Sequence, residues 1–156
     1  MKNRWHTGDG FPVSFDNILE EINTYISTGG KIFIGTDSQI KSKNCLFVTA
    51  ICLHSNSGKD YAKYFFAKEK VTLGTYKLLR ARIMQEVQRS IDISMALLEK
   101  FPHADIEIHV DVGLTKRSAT RKFVDIIDGW LKGFGIGCKM KPHSWASSAV
   151  ADWHTK

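Results

Sequence analysis

A chain of 156 residues matches one domain with a core of its own, and 43% hydrophobic with 24% charged residues excludes disordered and fibrous classes. The formal charge of +6 and a pI near 9.3 are compatible with a polyanionic partner but by themselves speak only to solubility and nonspecific association. No apolar stretch approaches the roughly 20 residues of a membrane span, and the polar opening MKNRWHTGDG lacks the apolar core of a secretory signal.

The expectation is therefore a cytoplasmic, membrane-free protein of a single domain, residues 1–156, with residues 1–30 as a helical extension. Cys45, Cys52 and Cys138 form neither a CxxC pair nor an even disulfide framework, and they read as reduced, buried thiols.

In chain order, SFDNILEEINTYIS (14–27) starts with a capping Ser14. It places Phe15, Ile18, Leu19, Ile22 and Ile26 at helical spacing before Gly29 and Gly30 close the helix. KIFIG, NCLFVTAICLHS and KDYAKYFFAKEKV follow, rich in β-branched and apolar residues and separated by the polar IKSKN and the turn-like SNSG. They predict three strands in an antiparallel meander.

From Tyr76 to Phe101 the period changes. Leu79, Ile83, Val87, Ile91 and Met95 recur every four residues, opposite Arg82, Gln85, Arg89 and Asp92, which predicts a long helix stopped by Pro102. DIEIHVDVG predicts a strand, ATRKFVDIIDGWLKGFG a helix, IGCKMKP a short strand and SWASSAVADWHTK a final helix. The class is α/β: a five-stranded mixed sheet with three antiparallel strands, then alternating helix and parallel strand, flanked by helices. The fourth strand must cross over the long helix to lie parallel to the first.

That crossover brings together Asp37, at the end of the first strand, and Asp111, at the end of the fourth. Sheets with parallel strands bind ligands at this edge. Either aspartate alone also suits a turn or helix cap. Glu86 lies at the margin of the long helix's apolar stripe, facing the sheet, or else pairs with Arg82 or Arg89 at the surface. Trp145, Ser148, Ala149 and Asp152 fall at i, i+3, i+4 and i+7, so Asp152 shares the packed face of the last helix. Charges on a packed face need a partner. A divalent cation would serve all four acids, and oxygen-only ligation suits Mg²⁺ or Mn²⁺; two such ions can activate water and steady a leaving oxygen in phosphodiester cleavage.

An Asp on strand one, a Glu on the sheet-crossing helix, an Asp ending strand four and an Asp on the last helix resemble the ribonuclease H-like superfamily of two-metal nucleases. More narrowly, IFIGTDSQ, HVDVG, GWLKGFG and KPHSWASSAVADWHTK are similar to the YkuK-like family of predicted ribonuclease-H-related proteins. The likeness runs from about residue 31 to the terminus. The resemblance implies a ribonuclease H-like fold and a metal-dependent nuclease. Asp37, Glu86, Asp111 and Asp152 would be ligands of two Mg²⁺ or Mn²⁺ ions, with Asp37 bridging them. Glu99 shares the long helix but lies thirteen residues on, far from the strand ends.

His143, near Asp152, is a candidate proton shuttle to the leaving group; with Ser144 it also suits the turn and cap after Pro142. Lys116, Arg117, Arg121 and Lys122, in TKRSATRK, are candidates for holding a nucleic-acid backbone, or form a solvated basic face. Trp145 and Trp153 at helical spacing read more readily as core than as base-stacking rings. Neither zinc-ligand spacing nor a Walker or dinucleotide phosphate loop is present.

The expected partner is nucleic acid: RNA, an RNA–DNA hybrid or structured DNA. The alternatives are a non-catalytic nucleic-acid-binding module on the same fold, and a protein-interaction domain whose acids are surface caps.

Overall fold

The computed structural model describes residues 4–55, 62–113, 118 and 120–156. Strands β1 (Trp5–Thr7) and β2 (Pro12–Val13) precede helix α1 (Phe15–Ser27), and the meander follows as β3 (Lys31–Lys41), β4 (Asn44–His54) and β5 (Ala62–Thr72). Helix α2 (Leu79–Lys100), β6 (Asp105–Gly113), α3 (Val124–Gly133) and β7 (Gly137–Lys141) come next, and a π-helical turn (Ala146–Ala151) runs into α4 (Asp152–Thr155).

The sheet is mixed but has seven strands, in the order β2-β1-β5-β4-β3-β6-β7, not five. The two additional strands are three and two residues long, too short to show alternation, and β1 joins the sheet by antiparallel pairing with β5. The N-terminal extension thus adds a hairpin to the sheet edge besides its helix. The antiparallel meander and the parallel β3–β6 and β6–β7 pairings are as expected.

β3 runs past Asp37 to Lys41, because Lys41 pairs with Asn44 across a two-residue turn in which Ser42 adopts a left-handed φ of 58°. Asp37 is therefore mid-strand, and what ends near it is the pairing with β6.

Alternation along the strands divides the core between the two faces. Ile32, Ile34, Ile51, Leu53, Phe65 and Ile108 pack with Ile18 and Ile22 of α1, Ile83, Val87, Ile91 and Leu97 of α2, and Ile127 and Leu131 of α3. Each fully buried aliphatic side chain contributes roughly 1.5–3 kcal/mol over its exposed state. The other face is smaller: Val48, Ala50, Cys52 and Phe66 meet Ala146 and Ala151 of the C-terminal segment. Ser14 caps α1, its Oγ accepting from the Asn17 N–H at 3.1 Å, and Gly29 leaves the helix with φ 78°.

All three cysteines are free thiols; Cys45 and Cys52 are buried and Cys138 half-buried. No described helix is long and apolar enough to cross a membrane.

Candidate functional site

Strands β3 and β6 pair in parallel from Lys31 opposite Asp105 to Gly35 opposite His109, and the same offset carries Asp37 to Asp111, two residues past the last pair. Both carboxylates lie on the sheet face covered by the C-terminal segment. Asp111 falls within an irregularity of the β6–β7 ladder, between the pairs His109–Lys139 and Gly113–Lys141. Bulges of this kind re-aim side chains beside functional sites.

Close backbone approach seats the C-terminal segment. A Cβ on Gly35 would stand 2.6 Å from the Ala146 carbonyl carbon and 2.8 Å from the Ser147 Cα, so only glycine lets the π turn rest on β3. His109, buried in the next strand, accepts from the Ala146 N–H at Nδ1 (3.0 Å). That bond requires the tautomer with its proton on Nε2, which donates to Glu107 Oε1 at 3.1 Å. Burial holds His109 below its ordinary pKa, consistent with a neutral ring. Lys31 Nζ donates to Glu107 Oε2 at 3.2 Å. Despite burial, these two hydrogen bonds keep Glu107 below the usual carboxylate range.

Glu86 reaches the site from the opposite face. Thr36 and Ser90 join through their hydroxyls at 2.8 Å, and Ser38 Oγ donates to Glu86 Oε1 at 2.7 Å. Two residues along the strand thus match one turn of α2. Glu86 is 8% exposed and lies toward one margin of the buried stripe of α2, whereas Leu79 and Met95 are exposed. Steps of four residues drift by about 40° each on an α-helix, so Met95 rotates away from the sheet, while Leu79 is exposed in the first turn of α2.

Asp152 arrives on the last segment. Thr155 Oγ1 donates to the Asp152 carbonyl at 2.8 Å and, more weakly at 3.4 Å, to Asp37 Oδ2. The buried residues there are Ala146, Ser147, Ala151 and Thr155, while Asp152 is half-buried and Ala149 exposed. The face expected from α-helical spacing is thus corrected by the wider π turn.

The four acids share one electrostatic site. Burial, then the charge of Asp111, then a hydrogen bond and charge from Asp152 push Asp37 up from 3.8 to about 7, against a backbone hydrogen bond at Ser38. Burial raises Glu86 from 4.5 to about 8, with Asp37 and Asp111 adding to it and the Ser38 hydroxyl and Arg82 opposing. Besides Arg82, two lysines stand nearby. Lys141 Nζ is 2.9 Å from Asp111 Oδ1, an ion pair outside hydrogen-bond geometry, so this buried oxygen has no hydrogen-bond partner among the described residues. Lys156 pairs with Asp152 at 3.3 Å on the exposed side.

As placed, no three His, Cys, Asp or Glu side chains among the described residues are grouped tightly enough to hold an ion. In chemistry the set fits a hard divalent cation: oxygen donors only, two carboxyls held above their free values by burial and by neighbouring carboxylates, and an Asp111 oxygen with no hydrogen bond.

His143 lies elsewhere. It is exposed, its N–H donates to the Met140 carbonyl, and its side chain lines a cavity of about 370 Å³ between α3 and β7; none of its contacts is with the four acids. Arg121 and Lys122 sit on a 3₁₀ turn (Arg121–Phe123) before α3, with Lys122 Nζ 5.2 Å above the Phe123 ring. Lys116 and Arg117 lie outside the described residues.

Ser38, Thr155, Lys141, Gly35 and His109 are the contributors that pattern reasoning missed. The neighbouring TDSQ and WHTK strings carried the only available signal for the first two.

These features define a ribonuclease H-like protein. The ribonuclease H-like family model matches residues 14–156, and the chain belongs to that family. Within it the chain is YkuK-like: it is 24% identical over 160 residues to a Bacillus subtilis (strain 168) protein named "Uncharacterized protein YkuK", covering 92% of each chain. No solved structure matches it. Family membership points to a nuclease or other nucleic-acid-related role.

Proposed function

We propose that this protein is a nuclease that hydrolyses phosphodiester bonds of nucleic acid with Mg²⁺ or Mn²⁺. The observation that carries the reading is the convergence of Asp37, Glu86, Asp111 and Asp152, from four separate elements, on one site where Asp37 and Glu86 are held at about 7 and about 8. A carboxylate cluster whose ionisation is opposed by burial and by its own charges gains most from a divalent cation.

Those four residues would hold the ions, with Asp37 contributing to both. Bound there, the metal supplies charge stabilisation and a water of lowered pKa. The chain's own part is positioning. Ser38 fixes the Glu86 carboxyl, Thr155 ties Asp37 to the C-terminal segment, and the ladder irregularity sets Asp111. Lys141, half exposed beside Asp111, is placed to meet a substrate phosphate once the carboxylate is otherwise engaged. Arg121 and Lys122, with Lys116 and Arg117, would contact backbone phosphates. His143, the candidate proton shuttle, lines the cavity between α3 and β7 and would have to act from that side.

One observation favours a second reading, a non-catalytic nucleic-acid-binding module. Lys141 and Lys156 already offset the charge of two of the four acids.

The test is cleavage of labelled single-stranded RNA, RNA–DNA hybrid, duplex DNA and branched DNA with Mn²⁺ or Mg²⁺ against EDTA, comparing wild type with Asp37→Asn. Metal-dependent cutting lost in the variant is the expected result. Binding without cutting, unchanged in Asp37→Asn, selects the second reading.

A further inference from the structure

The N-terminal hairpin builds a second polar site at the opposite edge of the sheet. Arg4, Trp5, His6, Pro12, Val13, Ser14 and Phe15 line a cavity of about 550 Å³, and Arg4 and His6 also line an adjoining one of about 350 Å³ with Phe66 and Lys68. Both volumes are in the range of small-ligand pockets. Trp5 is only 2% exposed, yet its Nε1 has no hydrogen-bond partner among the described residues, nor has the buried Nδ1 of half-buried His6. Trp5 and His6 are successive strand residues on opposite faces: Trp5 packs with the α1 side of the core, whereas the orphaned His6 nitrogen borders the cavity shared with Phe66 and Lys68, on the face that carries the acids.

The wall between this site and the acids is aromatic. His6 stacks on Phe66 at 5.5 Å, and the His154 ring stacks on Phe66 at 3.7 Å, two residues from Asp152. Lys68 Nζ lies 5.9 Å over the same Phe66 ring.

Sheet register relates the two sites. Asp37 pairs with Val48 and Val48 with Lys68, so these three residues form one cross-strand row. The β1–β5 offset, Trp5 opposite Ala67, carries Arg4 to Lys68 and extends that row. At 4.7–4.9 Å per strand, the Lys68 backbone is about 10 Å from that of Asp37. A polyanion whose reacting bond lies at the acids would find its next available cations along this row.

We propose that the hairpin cavity is a nucleotide subsite, taking one nucleotide of a single-stranded segment that continues from the acid cluster. Arg4 and Lys68 meet its phosphate, and His6 ends the aromatic stack on which its base lies and offers its ring nitrogen to the base or sugar. The assignment rests on the nucleic-acid reading above but not on cleavage.

The test follows the His6 imidazole Cε1–H resonance in Asp37→Asn protein with EDTA, titrated separately with a twelve-nucleotide oligouridylate, with adenosine monophosphate and with inorganic phosphate. The oligomer is expected to shift it saturably. Arg4→Glu with Lys68→Glu, both exposed positions outside the acid cluster, should abolish that shift and lower the slope of log affinity against log salt by about 0.7, for the one phosphate that the pair meets on a single strand. An equal shift with phosphate alone overturns the nucleotide assignment. Adenosine monophosphate binding as tightly as the oligomer overturns the strand. Oligomer binding by anisotropy without a His6 shift overturns the subsite, whereas a His6 shift in a protein that cleaves nothing upholds it and overturns the nuclease alone.

Discussion

Replacing Glu86 with Gln should make the metal-free protein less sensitive to alkaline pH. A carboxyl held at about 8 instead of 4.5 binds its proton more tightly in the fold than in the unfolded chain. The stability tied to that proton is complete below about 4.5 and is lost as pH rises through about 8. Between pH 5 and pH 9 the loss from this one residue is about 4 kcal/mol, a large fraction of the stability of an ordinary domain. Asp37, held at about 7, adds to the loss over the lower part of the same window. Gln keeps an oxygen to accept from Ser38 Oγ at the 2.7 Å position but has no charge to bury. Its amide costs something at every pH, and comparing the two pH values cancels that cost. Urea unfolding in EDTA at pH 5 and pH 9 measures the difference: wild type should lose about 4 kcal/mol more than Glu86→Gln. Equal losses in the two proteins would refute the claim that Glu86 is ionised against its surroundings.

Manganese should reverse the alkaline loss in wild type at pH 8, by about 2.7 kcal/mol at a hundred times Kd, and leave Asp37→Asn unmoved in a thermal melt; an equal rise in both would place the ion elsewhere. Gly35→Ala sets a methyl group against the backbone of Ala146 and Ser147 and should cost about 1–3 kcal/mol in urea while impairing any cleavage. Tolerance within about 0.5 kcal/mol would show that the π turn does not depend on this contact. His109→Leu removes the acceptor of the Ala146 N–H and should destabilise by about 1–3 kcal/mol, with faster amide exchange at Ala146; unchanged exchange there would refute the role. Lys141→Met should weaken the metal-free protein little, because its partner carboxylate is partly solvated, and should raise affinity for Mn²⁺. Weaker Mn²⁺ binding would mean that the lysine supports the site instead of competing for it.

The parts of the fold that were legible are those governed by period. KIFIG, NCLFVTAICLHS and DIEIHVDVG alternate or run apolar because they are buried on one or both faces, and the crossover over α2 forces β6 parallel to β3. From that topology alone Asp37 and Asp111 meet. The hairpin was invisible because five residues of strand carry no period, although Trp5 is among the most buried side chains of the molecule. Glu86 was legible as an acid at the margin of the stripe near the sheet, but its burial there depends on one hydroxyl, that of Ser38, which no helical period announces.

The last helix departs from the α-helical period. Ser147, Ala151 and Thr155 are spaced by four and all buried, which an α-helix would rotate progressively off the sheet. The wider π turn keeps them against β3 and β4, and α-helical winding resumes at Asp152. Nothing in ASSAVA distinguishes a π from an α turn by residue type, since small side chains suit both. What selects it is outside the segment: the absence of a Cβ at Gly35, which admits the backbone, and the imidazole of His109, which fixes where the turn begins. Position 152 meets position 37 because a glycine two residues before the first acid and a histidine two residues before the third hold the fourth in place.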